Sequence, residues 1–379
     1  MTTRRFALVA GGGTAGHLQP ALAVADALVA RGHDPVSIEF VGSRRGQDRK
    51  VLERRAYPFT LLPGRGIQRS FAPRAVLRNV GALAGIMWAT VRAVAIVAGR
   101  HPSVVVSVGG YASVPASVAA IVLRVPLVLI NVDAVPGAAN RLLGRFARAA
   151  AVGWEGTPLP RGTVTGTPVR DAILAVDRGA ASRAAARRAL GLPETGTVVA
   201  AFGGSLGARS INKAVGELAA AWEGREGTCI YHVVGRRDFA SSPPRSRPGY
   251  VPVEYEDRME LVYAAADLVV CRAGAMTVAE LAVVGVPAIL VPLPGAPGDH
   301  QTANARVLER AGAAVVVGDG SCSAAALDRA IGDLVDTPGR LDEMGSAARS
   351  LGRHDAADAG ARVVERSARP GRERGRAAA

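Results

Sequence analysis

The sequence predicts an α/β protein built from two Rossmann-like, doubly wound parallel-sheet domains facing a cleft, and three observations carry that reading. Short β-branched runs alternate with Ala/Leu-rich helical stretches along most of the 379 residues. The strand-like runs are continuously apolar, as strands buried on both faces of a parallel sheet are. The pattern also stops and restarts: a charged helical stretch near 177–191 leads into "GLPETG", and a new strand–glycine–helix unit opens at Thr197. A chain of this length can bury two separate cores.

The strands expected in order are "FALVA" (6–10), "SIEFVG" (37–42), "SVVVSV" (103–108) and "PLVLIN" (126–131), then "TVVAAF" (197–202), "CIYHVV" (229–234), "DLVVC" (267–271) and "PAILV" (287–291). The first domain is expected over 1–166 and the second over 167–345. A C-terminal helix over 346–367 is expected to pack back toward the first domain, and "RPGRERGRAAA" places a disordered tail over 368–379. One helix, "VLRNVGALAGIMWATVRAVAIVAG" (76–99), is apolar for about three turns before Arg92. It is too short and too interrupted to span a bilayer, which takes about 20 apolar residues. Two readings stay open: a buried packing helix, or a surface helix dipping Leu83, Ile86, Met87 and Trp88 into a membrane face fringed by Arg69, Arg74 and Arg78.

Composition narrows the function classes. The formal net charge is +14, and the only lysines are Lys50 and Lys213. An Arg- and Ala-rich bias reflects a GC-rich genome, which accounts for much of the excess. What remains suits attraction to anionic lipid or phosphate. Aromatics are 4% of residues and do not interleave with the arginines, so nucleic acid is not expected as a partner. Cys229, Cys271 and Cys322 form neither a metal-ligand spacing nor a disulfide framework. The apolar run before the first glycines is about five residues, too short for a signal peptide.

The chemistry sits in glycine loops between strand and helix. "GGGTAGH" (11–17) would present backbone N–H groups and a helix N-terminus to an anion. It matches G-x-G-x-x-G, but Glu39 lies inside the second strand instead of at its end, where a dinucleotide's ribose would need it. No G-K-[ST] follows, so it is not a P-loop. His17 is either a polar residue at a helix start or a general base beside a phosphate cradle. "SVGGYASVP" (107–115) repeats the arrangement with Tyr111. "AFGGSLGARSINKAV" (201–215) brings Ser205 and Arg209 to a third such loop. "CRAGAMTVAELAVVGVPAILVP" (271–292) opens a helix carrying Thr277 and Glu280, whose carboxylate is either solvated or placed to accept both hydroxyls of a ribose. "PGDHQTANARVLERAGAA" (297–314) supplies Asp299, His300, Gln301 and Asn304, groups suited to sugar hydroxyls.

Six segments in this order, "GGGTAGHLQPALAVA", "GGYASVPA", "TGTPVR", "GGSLGARSIN", "CRAGAMTVAE" and "DHQTANAR", resemble the signature of the MurG family of N-acetylglucosaminyltransferases, glycosyltransferase family 28. The resemblance runs from about residue 6 to about 365. It implies a GT-B fold, peptidoglycan synthesis with its bearing on cell shape and division, and a peripheral place on the cytoplasmic face of the cell membrane. It implies UDP-N-acetylglucosamine as donor and undecaprenyl-diphospho-N-acetylmuramoyl-pentapeptide as acceptor. The sugar would pass with inversion to the muramoyl 4-hydroxyl, with no cofactor or metal; the partners implied are the anionic membrane surface and other cell-wall synthesis proteins. On matching positions, Arg170 and Ser205 would contact the diphosphate, Ala275, Met276, Thr277 and Glu280 would hold the nucleotide, and Glu280 would take the ribose. Glu256 would meet the uracil through its main chain and Gln301 would read the sugar. Thr14, Ala15, Gly16, His17 and Tyr111 would line the acceptor side, with His17 the first choice of base.

One segment departs from the family. Ile130, Asn131, Val132 and Asp133 stand where a His-Glu-Gln-Asn run is usual, leaving Asp133 as the other candidate base and acceptor contact there. Ala15 replaces a usual glycine, which narrows backbone freedom. The departure keeps three further readings open: a related transferase with a different acceptor, a weakly active paralogue, and a nucleotide-sugar sensor. A dinucleotide oxidoreductase lacks its second-strand acid.

Overall fold

Every named strand pairs parallel, and each of the two sheets is covered by helices, the arrangement that continuous apolar strands require. The computed structural model describes residues 5–12, 15–44, 48–63, 73–204, 207–241 and 246–370. Contacts divide the chain into two units. Unit 1 comprises Met1–Val132, Pro136–Pro168 and Asp355–Ala379, and unit 2 comprises Asp133–Val135 and Val169–His354.

Unit 1 runs β1 (Ala7–Ala10), α1 (Ala15–Ala30), β2 (Ile38–Ser43), α2 (Asp48–Leu52), β3 (Phe59–Leu62), α3 (Pro73–Arg100), β4 (Val104–Ser107), α4 (Val114–Val122), β5 (Leu127–Asn131), α5 (Ala138–Leu143), β6 (Ala149–Val152) and β7 (Gly162–Val164). Its sheet has the order β3-β2-β1-β4-β5-β6-β7. Leu8, Val105, Leu127 and Leu129 form its centre with Ala89, Ala93 and Val97 of α3.

Unit 2 runs α6 (Asp171–Leu174), α7 (Ala180–Ala189), β8 (Thr197–Phe202), α8 (Arg209–Ala221), β9 (Thr228–Val233), α9 (Arg236–Ser241), β10 (Tyr250–Val253), α10 (Met259–Ala265), β11 (Leu268–Cys271), α11 (Ala275–Val284), β12 (Ala288–Leu290), α12 (His300–Arg310), β13 (Ala314–Val316), α13 (Ala324–Val335) and α14 (Arg340–Leu351). Its sheet order is β10-β9-β8-β11-β12-β13. α15 (Ala356–Ser367) then belongs to unit 1.

The eight expected strands form, with ends shifted by a residue or so. Five others carry weaker signals: β6 is "AAAV", β7 is an exposed "GTV" at the sheet edge, β10 holds Pro252, β13 is three residues long, and β3 is "FTLL". The expected helix over 346–367 is two helices, α14 and α15, interrupted at Gly352. A Cβ there would lie 2.8 Å from the Ala282 carbonyl oxygen, so the chain passes close against α11 before leaving unit 2. α15 packs on α1: Gly360 meets Val24, and Arg31 pairs with Asp358 and Glu365 at 2.9 and 2.8 Å. Arg92 does not break α3. Ala89, Ala93 and Val97, four residues apart, are buried on one stripe, while Met87, Trp88 and Val91 are exposed. The helix is therefore packed along one face and apolar on another.

Candidate active site

In unit 2 the winding reverses between β8 and β11, where a doubly wound sheet offers a crevice at the carboxyl ends of its strands. Phe202 and Cys271, the last residues of those strands, are directly paired. The glycine loop after β8 is thus set beside Arg272, Ala273 and Gly274. Gly207 has φ of +90°, and a Cβ there would stand 2.4 Å from the Val234 carbonyl oxygen, so the turn has room only for glycine. The first turns of α8 and α11 line one cavity of about 750 Å³ together with this loop. Backbone N–H groups at two helix starts favour an anion there.

Thr277 and Gln301 line that cavity, as do Gly203, Gly204, Gly207 and Arg209. Gln301 is oriented by its own amide: Oε1 accepts from the Leu293 N–H at 3.0 Å, leaving the NH₂ for a ligand. The polar frame of the cavity was not anticipated from sequence. Arg272 Nη1 donates to the carbonyls of Val291 and Pro292 and to Asp319 Oδ1, at 3.0, 3.2 and 2.6 Å, while Nη2 donates to Ser210 Oγ at 3.0 Å. Burial pushes the Asp319 carboxyl up, but bonds from Ser210 and Arg272 outweigh it, and the group titrates below the ordinary carboxylate range. The Arg272–Asp319 pair therefore ties the loops after β11, β12 and β13 together. The signal for it was an arginine directly after the β11 strand; Asp319 was hidden because β13 was not expected.

Glu280 lies one turn beyond Thr277 on α11 and is 9% exposed. Tyr263, fully buried, donates its hydroxyl to Glu280 Oε2 at 2.8 Å. Burial raises the Glu280 pKa, and the Tyr263 bond and the Arg170 charge act in the opposite direction. The solvated alternative for this carboxylate is thereby excluded. Arg170 stands at the N-cap position of α6 in the same unit, with its side chain making no capping bond. Ala275 and Met276 open α11 and are partly exposed. Glu256 has its carboxylate held by Tyr231 at 2.9 Å and by Arg258, so its side chain is spent inside the protein. Asn304 is fully buried and bonded to the Ala134 N–H, Asp133 and the Ala273 carbonyl. That corrects its expected place among groups offered to a sugar. Asp133, in the short segment grouped with unit 2, accepts from Asn304 Nδ2 at 2.9 Å.

In unit 1 the reversal lies between β1 and β4, and the loops after them hold the second constellation. His17, in the first turn of α1, rests on Gly109 and Gly110; a Cβ on either would come within 3.3 Å of the imidazole. Both glycines have positive φ, 92° and 74°, so conformation and contact exclude a side chain together. Tyr111 exchanges a hydrogen bond with Ser43 at 3.0 Å. Gly12 leaves room for buried Asp48, whose Oδ2 accepts from the Ser43 N–H at 2.9 Å; a Cβ on Gly12 would overlap that carboxylate. Asp48 was also missed, since nothing around it marks a motif. Asn131, in the departing segment, is buried with Oδ1 taking a bond from Asn140 Nδ2 at 3.1 Å. Glu39 is consumed by Arg5 and Arg100, at 2.9 and 3.0 Å, and has a structural role. Thr14 and Ser205 lie outside the described residues, as do the side chain of Ala15 and the tail from 371; Gly16 lies in α1 beside His17.

Two family models match this chain, the glycosyltransferase family 28 N-terminal domain over residues 7–152 and the glycosyltransferase family 28 C-terminal domain over 198–359. The chain belongs to glycosyltransferase family 28. The two family 28 domains, each a parallel-sheet Rossmann-like unit, make its fold GT-B. Among curated relatives, the UDP-N-acetylglucosamine--N-acetylmuramyl-(pentapeptide) pyrophosphoryl-undecaprenol N-acetylglucosamine transferase of Nocardia farcinica is 42% identical over 376 residues, covering 96% of each chain. The transferase of the same name from Streptomyces coelicolor is 39% identical over 354 residues, covering 93% of this chain and 95% of its own. Among solved structures, Acinetobacter baumannii MurG superposes with a TM-score of 0.75 at 27% identity, over 96% of this chain and 99% of that one.

Proposed function

We propose that this family 28 chain is a MurG, transferring N-acetylglucosamine from UDP-N-acetylglucosamine to undecaprenyl-diphospho-N-acetylmuramoyl-pentapeptide, the step from lipid I to lipid II. The observation that carries the reading is near-full-length identity of 42% to a transferase of that name. The donor is assigned to unit 2. Its diphosphate meets the helix starts at the glycine loop with Arg170 and Ser205, the ribose meets Glu280, the uracil meets the Glu256 main chain, and the sugar meets Gln301. Ala275, Met276 and Thr277 supply the first turn of α11. Oriented donors on the departing UDP contribute roughly 10²–10³ each in rate.

The acceptor is assigned to the unit 1 loops, with Gly16 and Tyr111 beside it. His17 removes the proton from the muramoyl 4-hydroxyl as it attacks the anomeric carbon, which inverts. The glycine platform supports this role because it fixes the imidazole without a side chain in the way. A positioned base contributes roughly 10²–10⁴. Asp133 is the second candidate. Its bond from Asn304 supports an orienting function more than proton transfer.

The enzyme is assigned to the cytoplasmic face of the membrane as a peripheral protein. No helix among the described residues is long and apolar enough to cross a bilayer. The exposed stripe of Met87, Trp88 and Val91 on α3 supports interfacial docking, at exposures of 68%, 59% and 62%. Product analysis after incubation with labelled donor and a short-chain muramoyl lipid tests the proposed reaction.

A further inference from the structure

Unit 2 has a second cavity, of about 380 Å³, at the opposite end of its sheet from the glycine loops. Its wall includes Asp267 and Pro287, which lead into the amino ends of β11 and β12, so it shares no residue with the cavity around Thr277 and Gln301. Three arginines line it, Arg178, Arg183 and Arg349, and a fourth, Arg187, lies buried behind Asp267.

Their charges are not matched. Asp267 is saturated: Oδ1 takes Arg183, and Oδ2 takes Arg187 and the Val198 N–H, both at 2.7 Å. Arg178 spends Nη1 on the carbonyls of Tyr263 and Ala266, at 2.6 and 2.8 Å, which caps the end of α10. Its Nε and Nη2 bond to nothing among the described residues. Burial, and then the neighbouring Arg183, Arg349 and Arg187, push the Arg178 pKa down to about 10 against the pull of Asp267, so it stays cationic at neutral pH in a net positive surrounding. Arg349 forms no ion pair among the described residues. Its stem is seated against Gly285, where φ is +76° and a Cβ would come within 2.4 Å of Arg349 Cγ. The remaining carboxylate on the wall, Asp342, also forms no ion pair there, and four guanidinium groups against two carboxylates leave an excess of two positive charges. Gly339, Leu341 and Asp342, at the start of the twelve-residue helix α14, complete the wall with first-turn N–H groups.

We infer that this pocket is a second anion site, built for a small phosphate-class ligand held between the guanidinium groups of Arg178 and Arg349 and the first turn of α14. Planar guanidinium forks and a helix start are the donors that phosphate oxygens take best. A free anion fits better than a lipid headgroup, because none of the exposed large apolar residues borders the pocket.

Isothermal titration of the full chain with inorganic phosphate and with pyrophosphate, at ionic strength matched by chloride, tests the site. Titrations are run on wild type, Arg349→Ala, Arg178→Gln, and Arg209→Ala as a control in the other cavity. Arg349 is exposed, so its loss is expected to cost little stability. Saturable binding that weakens about tenfold in Arg349→Ala and is retained in Arg209→Ala is the expected result, the size a lost charge-assisted bond gives. Absence of saturable binding in wild type, or equal affinity in wild type and Arg349→Ala, overturns the proposal. Binding to anionic vesicles that Arg349→Ala abolishes, with no response to soluble phosphate, overturns the choice of a free anion.

Discussion

The Tyr263 hydroxyl stands 2.8 Å from Glu280 Oε2, and both groups are enclosed by the core of unit 2. A carboxylate is costly to bury unless its oxygens are hydrogen-bonded, and this phenol satisfies one of them. Glu280 is thereby held in a single orientation. Tyr263 is itself braced edge-on by Phe202, which also lines the glycine-loop cavity. Removing the hydroxyl in Tyr263→Phe is expected to destabilise the protein by about 1–3 kcal/mol, the cost of an unsatisfied buried acceptor. Donor affinity should fall with little change in kcat at saturating donor. Unfolding by urea and UDP titration check the two halves of this prediction, and a variant with wild-type stability and wild-type UDP affinity would contradict it.

His17 and its platform give a second prediction. His17→Ala is expected to lower kcat by roughly 10²–10⁴ with UDP affinity unchanged. Gly109→Ala should reduce turnover as well, because the new Cβ would press on the imidazole at a residue with φ of +92°. A steady-state comparison of kcat and KM for both substrates separates these effects from loss of folding.

Much of this architecture was legible because parallel strands buried on both faces leave uninterrupted apolar runs. The glycine loops that follow β1, β4, β8 and β11 were legible for a related reason. Close backbone approach and positive φ exclude other residues at positions such as Gly109 and Gly207, so the requirement is written in the sequence itself. What escaped were elements and pairs defined by partners distant in sequence. Arg272 and Asp319 are 47 residues apart, and either alone reads as a surface charge. Asn304 shows the converse error: its motif drew it toward the ligand, but bonds to Asp133, the Ala134 N–H and the Ala273 carbonyl hold its side chain inside the protein.

A pH prediction concerns His232, buried on β9. Its Nε2 meets Asn212 Oδ1 at 3.0 Å and its Nδ1 meets the Tyr250 hydroxyl at 2.9 Å. Asn212 uses its NH₂ on Val234 O and Asp238, so its oxygen accepts from His232 and the Tyr250 hydroxyl donates to Nδ1, as a neutral ring requires. Burial brings the His232 pKa down to about 4. The unfolded ring, with pKa about 6.5, binds a proton that the folded ring refuses between these values. The neutral ring's stabilising contribution is therefore complete above about pH 6.5 and is lost as pH falls toward 4, a change of about 3 kcal/mol. Urea midpoints for wild type and His232→Gln at about pH 7.5, above that loss, and at about pH 5, part-way through it, should draw closer at the lower pH. Parallel curves would refute the assignment.

The Arg272–Asp319 pair gives a fourth prediction. Arg272→Ala leaves Asp319 partly buried with only Ser210 to satisfy it and frees three loops at the cavity. Stability should fall by about 2–4 kcal/mol and UDP affinity should fall with it. Asp319→Asn, which keeps the shape and loses the charge, should cost less. Calorimetry with and without UDP measures both, and full UDP affinity in Arg272→Ala would remove this pair from the donor site.

The most direct test of the transferase account supplies radiolabelled UDP-N-acetylglucosamine and a short-chain analogue of the diphospho-muramoyl-pentapeptide lipid to the purified chain. The account predicts a labelled disaccharide lipid, released UDP in equal amount, and both formed roughly 10²–10⁴ more slowly in His17→Ala. UDP binding without any disaccharide product would contradict it.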